Sequence, residues 1–183
     1  TASSAYYFPS IARMSSVEIL KGSSQIAFGP QTASGAINLI STQIPDVETA
    51  SFSMSHGSFK NRYVHMYVGN SVTSSKGTFG YLIEFLEIGS DGFKTLDNED
   101  PTGFIKSDRL AKLKWSSPVS ASVKQSLQLK LADVTETSYE TYLGLSEEDF
   151  TITPNRRYAA SAKDVMNTNQ SQAVLTHTAA PSK

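Results

Sequence analysis

Two adjacent arginines, Arg156 and Arg157, precede Tyr158 in a long polar stretch that also holds the acidic run Glu147-Glu148-Asp149. A guanidinium pairs bidentately with carboxylates. The two arginines could therefore hold an anionic ligand, or they could bind those nearby acids and brace their own loop. A second cluster, Asp91, Asp97, Asn98, Glu99 and Asp100, is rich in oxygen donors of the kind Ca²⁺ takes. It lacks EF-hand spacing, and a solvated loop is the better reading. His56, His65 and His177 have no zinc-ligand spacing, and the chain has no Cys, so no metal site or thiol nucleophile is expected. No G-x-S-x-G elbow and no phosphate-binding glycine loop occurs. Gly22, Gly29 and Gly35 read as backbone devices that permit positive φ or close approach of chains. The sequence thus points away from an enzyme and from a covalently bound cofactor.

The balance of sixteen basic against seventeen acidic residues gives net charge −1 and argues against a nucleic-acid partner. No apolar run is long enough for a membrane-spanning helix, and residues 1–10 lack the basic start and apolar core of a signal peptide. Hydrophobic residues make up 39% of the chain, and Ser and Thr fill 44 of its 183 positions. This composition leaves one membrane class open, the β-barrel, whose strands need only one apolar face.

The elements that must position these residues are strands. Val17-Glu18-Ile19-Leu20 and Ala36-Ile37-Asn38-Leu39-Ile40 are short apolar runs closed by Gly, Ser or Pro, and read as two strands. After the Pro45-Asp46 boundary the pattern has period two. Phe52, Met54 and His56 alternate with serines. Phe79, Tyr81, Ile83 and Phe85 share one face, and Leu82, Glu84 and Leu86 the other. Six such strands are expected, with segments 59–72, 78–88 and 123–135 long enough to span a membrane and 172–178 the weakest. Their connections alternate in length. If the first strand starts on the inner side, the long loops 90–107 and 136–169 fall on one side with the tight link at Gly57-Ser58. The other two short turns fall opposite, as in an outer-membrane barrel. Lys112 and Lys114 share a face and call for a polar lumen, while Trp115, on the other face, suits an interfacial aromatic girdle.

The run Val17-Glu18-Ile19-Leu20-Lys21-Gly22, the step Phe28-Gly29, and Ser34-Gly35-Ala36-Ile37-Asn38-Leu39-Ile40-Ser41 together resemble the end of the plug domain of TonB-dependent outer-membrane receptors. Ser23, Phe28 and Ser34 are small departures from that pattern. Thr141-Tyr142-Leu143-Gly144-Leu145-Ser146, Asp149-Phe150 and Pro154-Asn155-Arg156-Arg157-Tyr158, with Gln172 and His177, resemble the third outside loop of ferric-dicitrate-type members.

The resemblance implies a mainly β, antiparallel fold. Residues 1–45 would be the C-terminal part of a plug, and residues 46–183 the first six strands of a 22-stranded transmembrane barrel, partial and unclosed. It implies a bacterial outer-membrane receptor of siderophore type, importing a ferric chelate as cargo. Its partners would be the TonB–ExbB–ExbD system, whose contact segment would precede Thr1, and outer-membrane lipid. Glu18, Lys21, Gly22, Gly29, Gly35 and Asn38 would carry the plug motif, with Lys21 either locking the plug to barrel carboxylates or standing solvated at a strand end. Arg156 and Arg157 would be candidates for chelate contact. Two other readings are a non-transporting barrel or adhesin and a soluble β-sandwich binding module.

Overall fold

The computed structural model describes residues 9–21 and 35–181. The described residues fall into two compact units divided between residues 43 and 44. The first is a hairpin of β1 (Met14–Leu20) and β2 (Ala36–Ser41). These are the two apolar runs expected to be strands, and they pair antiparallel with Val17 opposite Leu39 and Glu18 opposite Asn38. Gly35 enters β2 at φ 116°, and a Cβ there would stand 2.2 Å from the Leu20 carbonyl oxygen. Only glycine tolerates both conditions.

The second unit is a six-stranded antiparallel meander. It comprises β3 (Thr49–Gly57), β4 (Asn61–Ser74), β5 (Gly77–Ser90), β7 (Phe104–Ser116), β8 (Val123–Ser138) and β10 (Met166–Pro181), each bonded to the next in the chain. Before β7 lies the short β6 (Thr95–Leu96); between β8 and β10 lie the helix α1 (Glu147–Ile152) and the short β9 (Arg156–Arg157). The strands exceed their sequence signals, β10 most of all. Asn167, Thr168, Asn169 and Gln170 carry no apolar alternation, yet their backbones complete the ladder with β8. Backbone pairing, not side-chain pattern, sets that end. The long connections 91–103 and 139–165 lie at one end of the sheet with the tight link 58–60. The short ones, 75–76 and 117–122, lie at the other, which is the expected sorting.

Register fixes what shares a face, because residues directly opposite point the same way. One face carries the row Ser53, His65, Leu86, Asp108, Val134, Gln170 and the row Gly69, Leu82, Lys112, Lys130, Val174. Buried charge is concentrated on this face. Glu84 is buried and accepts His65 at 2.8 Å, and Lys106 pairs with Glu136 at 2.9 Å. Asp108 and Lys112 are buried here too.

The other face carries an unbroken apolar row, Ala50, Val68, Ile83, Ala111, Leu131, Ala173. It stands in the open: Ile83 is 58% exposed, whereas Leu82 on the charged face is 0% exposed. Toward the long loops this face turns polar. Arg62 pairs with Glu87, and Arg109 with Asp133, which also accepts the Ser171 hydroxyl at 3.0 Å. Toward the short turns it ends in the row Val72, Phe79, Trp115, Leu127, His177, with the Trp115 indole donating to the Lys76 carbonyl at 3.1 Å. Lys114 lies opposite Gly80 and Trp115 opposite Phe79, on the two different faces that the alternation predicts.

Candidate functional site

The long connections are organised by three local devices. Ser146 caps α1, its Oγ accepting the Asp149 N–H at 3.1 Å, and Glu147, Glu148 and Asp149 fill the first turn, where acids suit the helix dipole. β6 and β9 then pair in parallel, Thr95 with Arg156 and Leu96 with Arg157. That short ladder ties loop 91–103 to loop 139–165 and buries Leu96.

Arg156 fastens the tie. Its Nε and second terminal nitrogen donate to the two Asp97 oxygens at 2.9 and 3.2 Å, and its remaining terminal nitrogen reaches Asp149 at 2.8 Å. Tyr158 lies under the guanidinium, 4.9 Å from its ring centroid, and donates its hydroxyl to Asp149 at 2.5 Å. The hydrogen bond from Arg156 holds the Asp97 carboxyl below its ordinary range. The Tyr158 hydroxyl is the chief cause of the same downward displacement at Asp149, and Arg156 is pushed up in turn, first by Asp97.

Arg157 points into a different setting. It is 4% exposed, and its guanidinium donates to Ser161 Oγ and the Ser161 carbonyl, both at 2.8 Å, to the Asp164 carbonyl at 3.3 Å, and to the Tyr139 carbonyl. It gathers the neck of loop 139–165. The adjacent arginines therefore do separate work, one between loops and one within a loop.

Beneath this arrangement is a cavity of about 490 Å³. Asn61, Ser90, Phe104 and Ser138, which lie at the loop end of the charged face by register, form its floor. Phe59, Phe93, Lys94, Glu140 and Arg157 line it from the connections. Phe59 and Phe93 meet edge to face with centroids 6.4 Å apart. Sequence reasoning missed Phe59, Phe93 and Lys94. The only signal was an aromatic in each of the two neighbouring loops, where there is no period-two alternation to read.

The remaining candidates disperse. In the acidic loop Asp91 binds Lys60 at 2.7 Å, Asp97 binds Arg156, and Asp100 accepts Asn98 at 2.6 Å. Among the described residues no cluster of three or more His, Asp or Glu is placed to hold a metal. His56, His65 and His177 sit on β3, β4 and β10 and do not converge. Within the hairpin Asn38 donates to Glu18 at 2.9 Å, so two residues of the motif are cross-strand partners, while Lys21 stands exposed just after β1. Gly22 and Gly29 lie outside the described residues. No protein-family model matches the chain, and no match is found among curated proteins or solved structures.

Proposed function

We propose that the chain is a piece of a TonB-dependent outer-membrane receptor that imports an iron chelate, with residues 1–45 from the plug and 46–183 from the barrel wall. The observation that carries the membrane reading is the reversed polarity of the six-stranded sheet. A soluble sandwich turns its apolar face onto a second sheet; here the continuous apolar face is the open one, while the other face buries Glu84, Asp108 and Lys112 beside Leu82, Leu86, Leu110 and Val134. Among the described residues the only further sheets are two-stranded.

The edge of the apolar zone supports the same reading quantitatively. On β3 and β4 the change to polar falls after Met54 and Val64, opposite each other. On β5 it falls one pleat lower, between Phe85 and Glu87, since Glu87 is opposite Val64. On β7, β8 and β10 it falls a further pleat lower, at Arg109, Asp133 and Ser171. Asn70, His177 and Gln125 on the apolar side and Ile105 on the polar side are exceptions to it. The boundary thus slips about four residues over five interstrand steps, or roughly 14 Å along the strands against roughly 24 Å across them. That is an inclination of about 30°, close to the ~35–45° tilt of membrane barrels. A strand of 14 residues such as β5 extends about 46 Å, and tilted by ~40° it rises about 35 Å, leaving roughly 10 Å above a ~25 Å apolar band. The polar collar with its Arg62–Glu87 and Arg109–Asp133 pairs occupies that excess.

The receptor reading rests in addition on the 17–41 motif, whose two described ends pair as a hairpin in a unit of its own. A non-transporting barrel has no use for such a unit. The test is disruption of the gene in its native host, followed by fractionation of the tagged protein and growth on defined ferric chelates. Recovery in the outer membrane with loss of growth on one chelate is expected. Recovery in a soluble fraction would overturn the membrane reading, and unchanged growth on every chelate would overturn the transport reading.

A further inference from the structure

We infer that the 490 Å³ cavity at the loop end of the charged face takes a ligand presenting an aromatic ring with a single negative charge. The inference rests on the receptor reading and narrows its cargo. The volume lies within the ~300–1,000 Å³ usual for small-molecule sites.

The charge requirement comes from Arg157. Every acceptor it uses is neutral: a hydroxyl and the carbonyls of Tyr139, Ser161 and Asp164. The nearby acids bond other partners. The Asp164 carboxylate takes the Thr141 hydroxyl at 2.6 Å, and Glu140 takes the Ser138 hydroxyl at 3.0 Å. The guanidinium has its hydrogen bonds but no counter-charge among the described residues, at 4% exposure. Lys94 adds an exposed ammonium that has no side-chain partner among the described residues. Among the described residues, two cations against the one acid Glu140 leave the lining at +1. A monoanion balances it; a tricarboxylate such as citrate would carry it to −2. The residue that could have supplied further positive charge, Arg156, is already committed to two carboxylates.

The ring requirement comes from Phe59 and Phe93, which meet edge to face, and from Phe104 on the floor, all lining the cavity with those cations. Phe59 sits at φ 57°, in the left-handed region that bulky residues avoid. It is held there by the Asp91 N–H at 2.9 Å and the Ser90 hydroxyl at 3.2 Å, both on its carbonyl. Lys60 follows at φ 49°, and the two left-handed residues form the tight link between β3 and β4.

The experiment uses the full-length protein in detergent, with benzoate, benzylammonium and citrate as probes and saturation-transfer NMR as readout. Benzoate should bind, and neither citrate nor benzylammonium should displace it at equal concentration. Lys94→Gln and Phe93→Ala, both at exposed positions, should each weaken benzoate about tenfold, the loss of one charge-assisted bond or one ring contact. Lys94→Arg should retain binding. Absence of benzoate binding, displacement by citrate, or unchanged affinity in both weakening variants would overturn the assignment. The outcome is separable from the receptor reading, which stands or falls on outer-membrane recovery and chelate-dependent growth whatever benzoate does.

Discussion

Arg156 holds both carboxylate oxygens of Asp97, a residue 59 positions earlier in the chain, and Asp149 with its third nitrogen. Two loops that leave the sheet between different strand pairs are thereby one body. The Nε edge of the fork is filled by Asp97, so another carboxylate takes that bidentate edge only by displacing it. Replacing Arg156 should separate the loops without disturbing the sheet. The chain has no native Cys, so spin labels placed through Glu99→Cys and Glu148→Cys report the distance. In Arg156→Gln that distribution should broaden and lengthen, while strand content by circular dichroism stays constant. An unchanged distribution would show that the β6–β9 ladder suffices alone.

The same clasp should respond to acid in a defined window. Asp97 and Asp149 both titrate below their ordinary value of 3.8, the first chiefly through Arg156 and the second chiefly through the Tyr158 hydroxyl. Depressed carboxyl groups stabilise the folded arrangement above the unfolded value, and that contribution disappears as pH falls through the lowered ones. The label distance should be constant from pH 8 to about pH 5 and lengthen only below about pH 4. Tyr158→Phe removes the main cause at Asp149, so opening should begin at higher pH in that variant. Opening between pH 5 and 7 in the native sequence would contradict the assignment.

Much of the sheet was legible because period-two alternation is a local signal. Phe79, Tyr81, Ile83 and Phe85 announced one face of β5 and Leu82, Glu84 and Leu86 the other, and the pairing with β7 respects both. The upper half of β10 was hidden because Asn167–Gln170 look like loop until β8 supplies their partners. The loop site was less legible still. The acidic run near Arg156 and Arg157 foretold an ion pair, and Asp149 makes it. Asp97 could not be found from sequence, because its pairing depends on two loops meeting across the top of the sheet. Nor could adjacency reveal that Arg157 faces carbonyls while Arg156 faces carboxylates.

The two faces of the sheet should answer oppositely to charge. Ile83 lies in the middle of the unbroken apolar row, between Val68 and Ala111. Ile83→Lys should destabilise the protein in lipid vesicles by about 2–4 kcal/mol, the cost of a lysine facing mid-bilayer. Ser53, exposed on the polar face opposite His65, is the control. Ser53→Lys should stay within about 0.5 kcal/mol. Denaturant titration in vesicles measures both. Equal, small effects would mean that the apolar face does not meet lipid.

Gly35 tests the hairpin. Any side chain there meets the Leu20 carbonyl at 2.2 Å and must adopt φ 116°. Gly35→Ala should cost about 1–3 kcal/mol through backbone strain alone, and more where the contact cannot relax. The expected result is faster proteolytic cleavage within 14–41, with the six-stranded sheet still protected. Wild-type protection of 14–41 in the variant would show that the turn relaxes around the added methyl.

Trp115 offers a depth gauge. It closes the apolar face at the short-turn end, opposite Phe79 and Leu127, with its indole N–H satisfied by the Lys76 carbonyl. An amphipathic ring at the edge of an apolar band is suited to the headgroup boundary. In lipid vesicles its emission, isolated as the difference between the native protein and Trp115→Phe, should be quenched more by spin labels near the headgroup than by labels at the acyl terminus. Stronger quenching from the bilayer centre would place the short turns inside the hydrocarbon and shift the whole apolar band. Quenching by aqueous iodide alone would remove that end of the sheet from the membrane, and with it the ~30° boundary as a membrane signature.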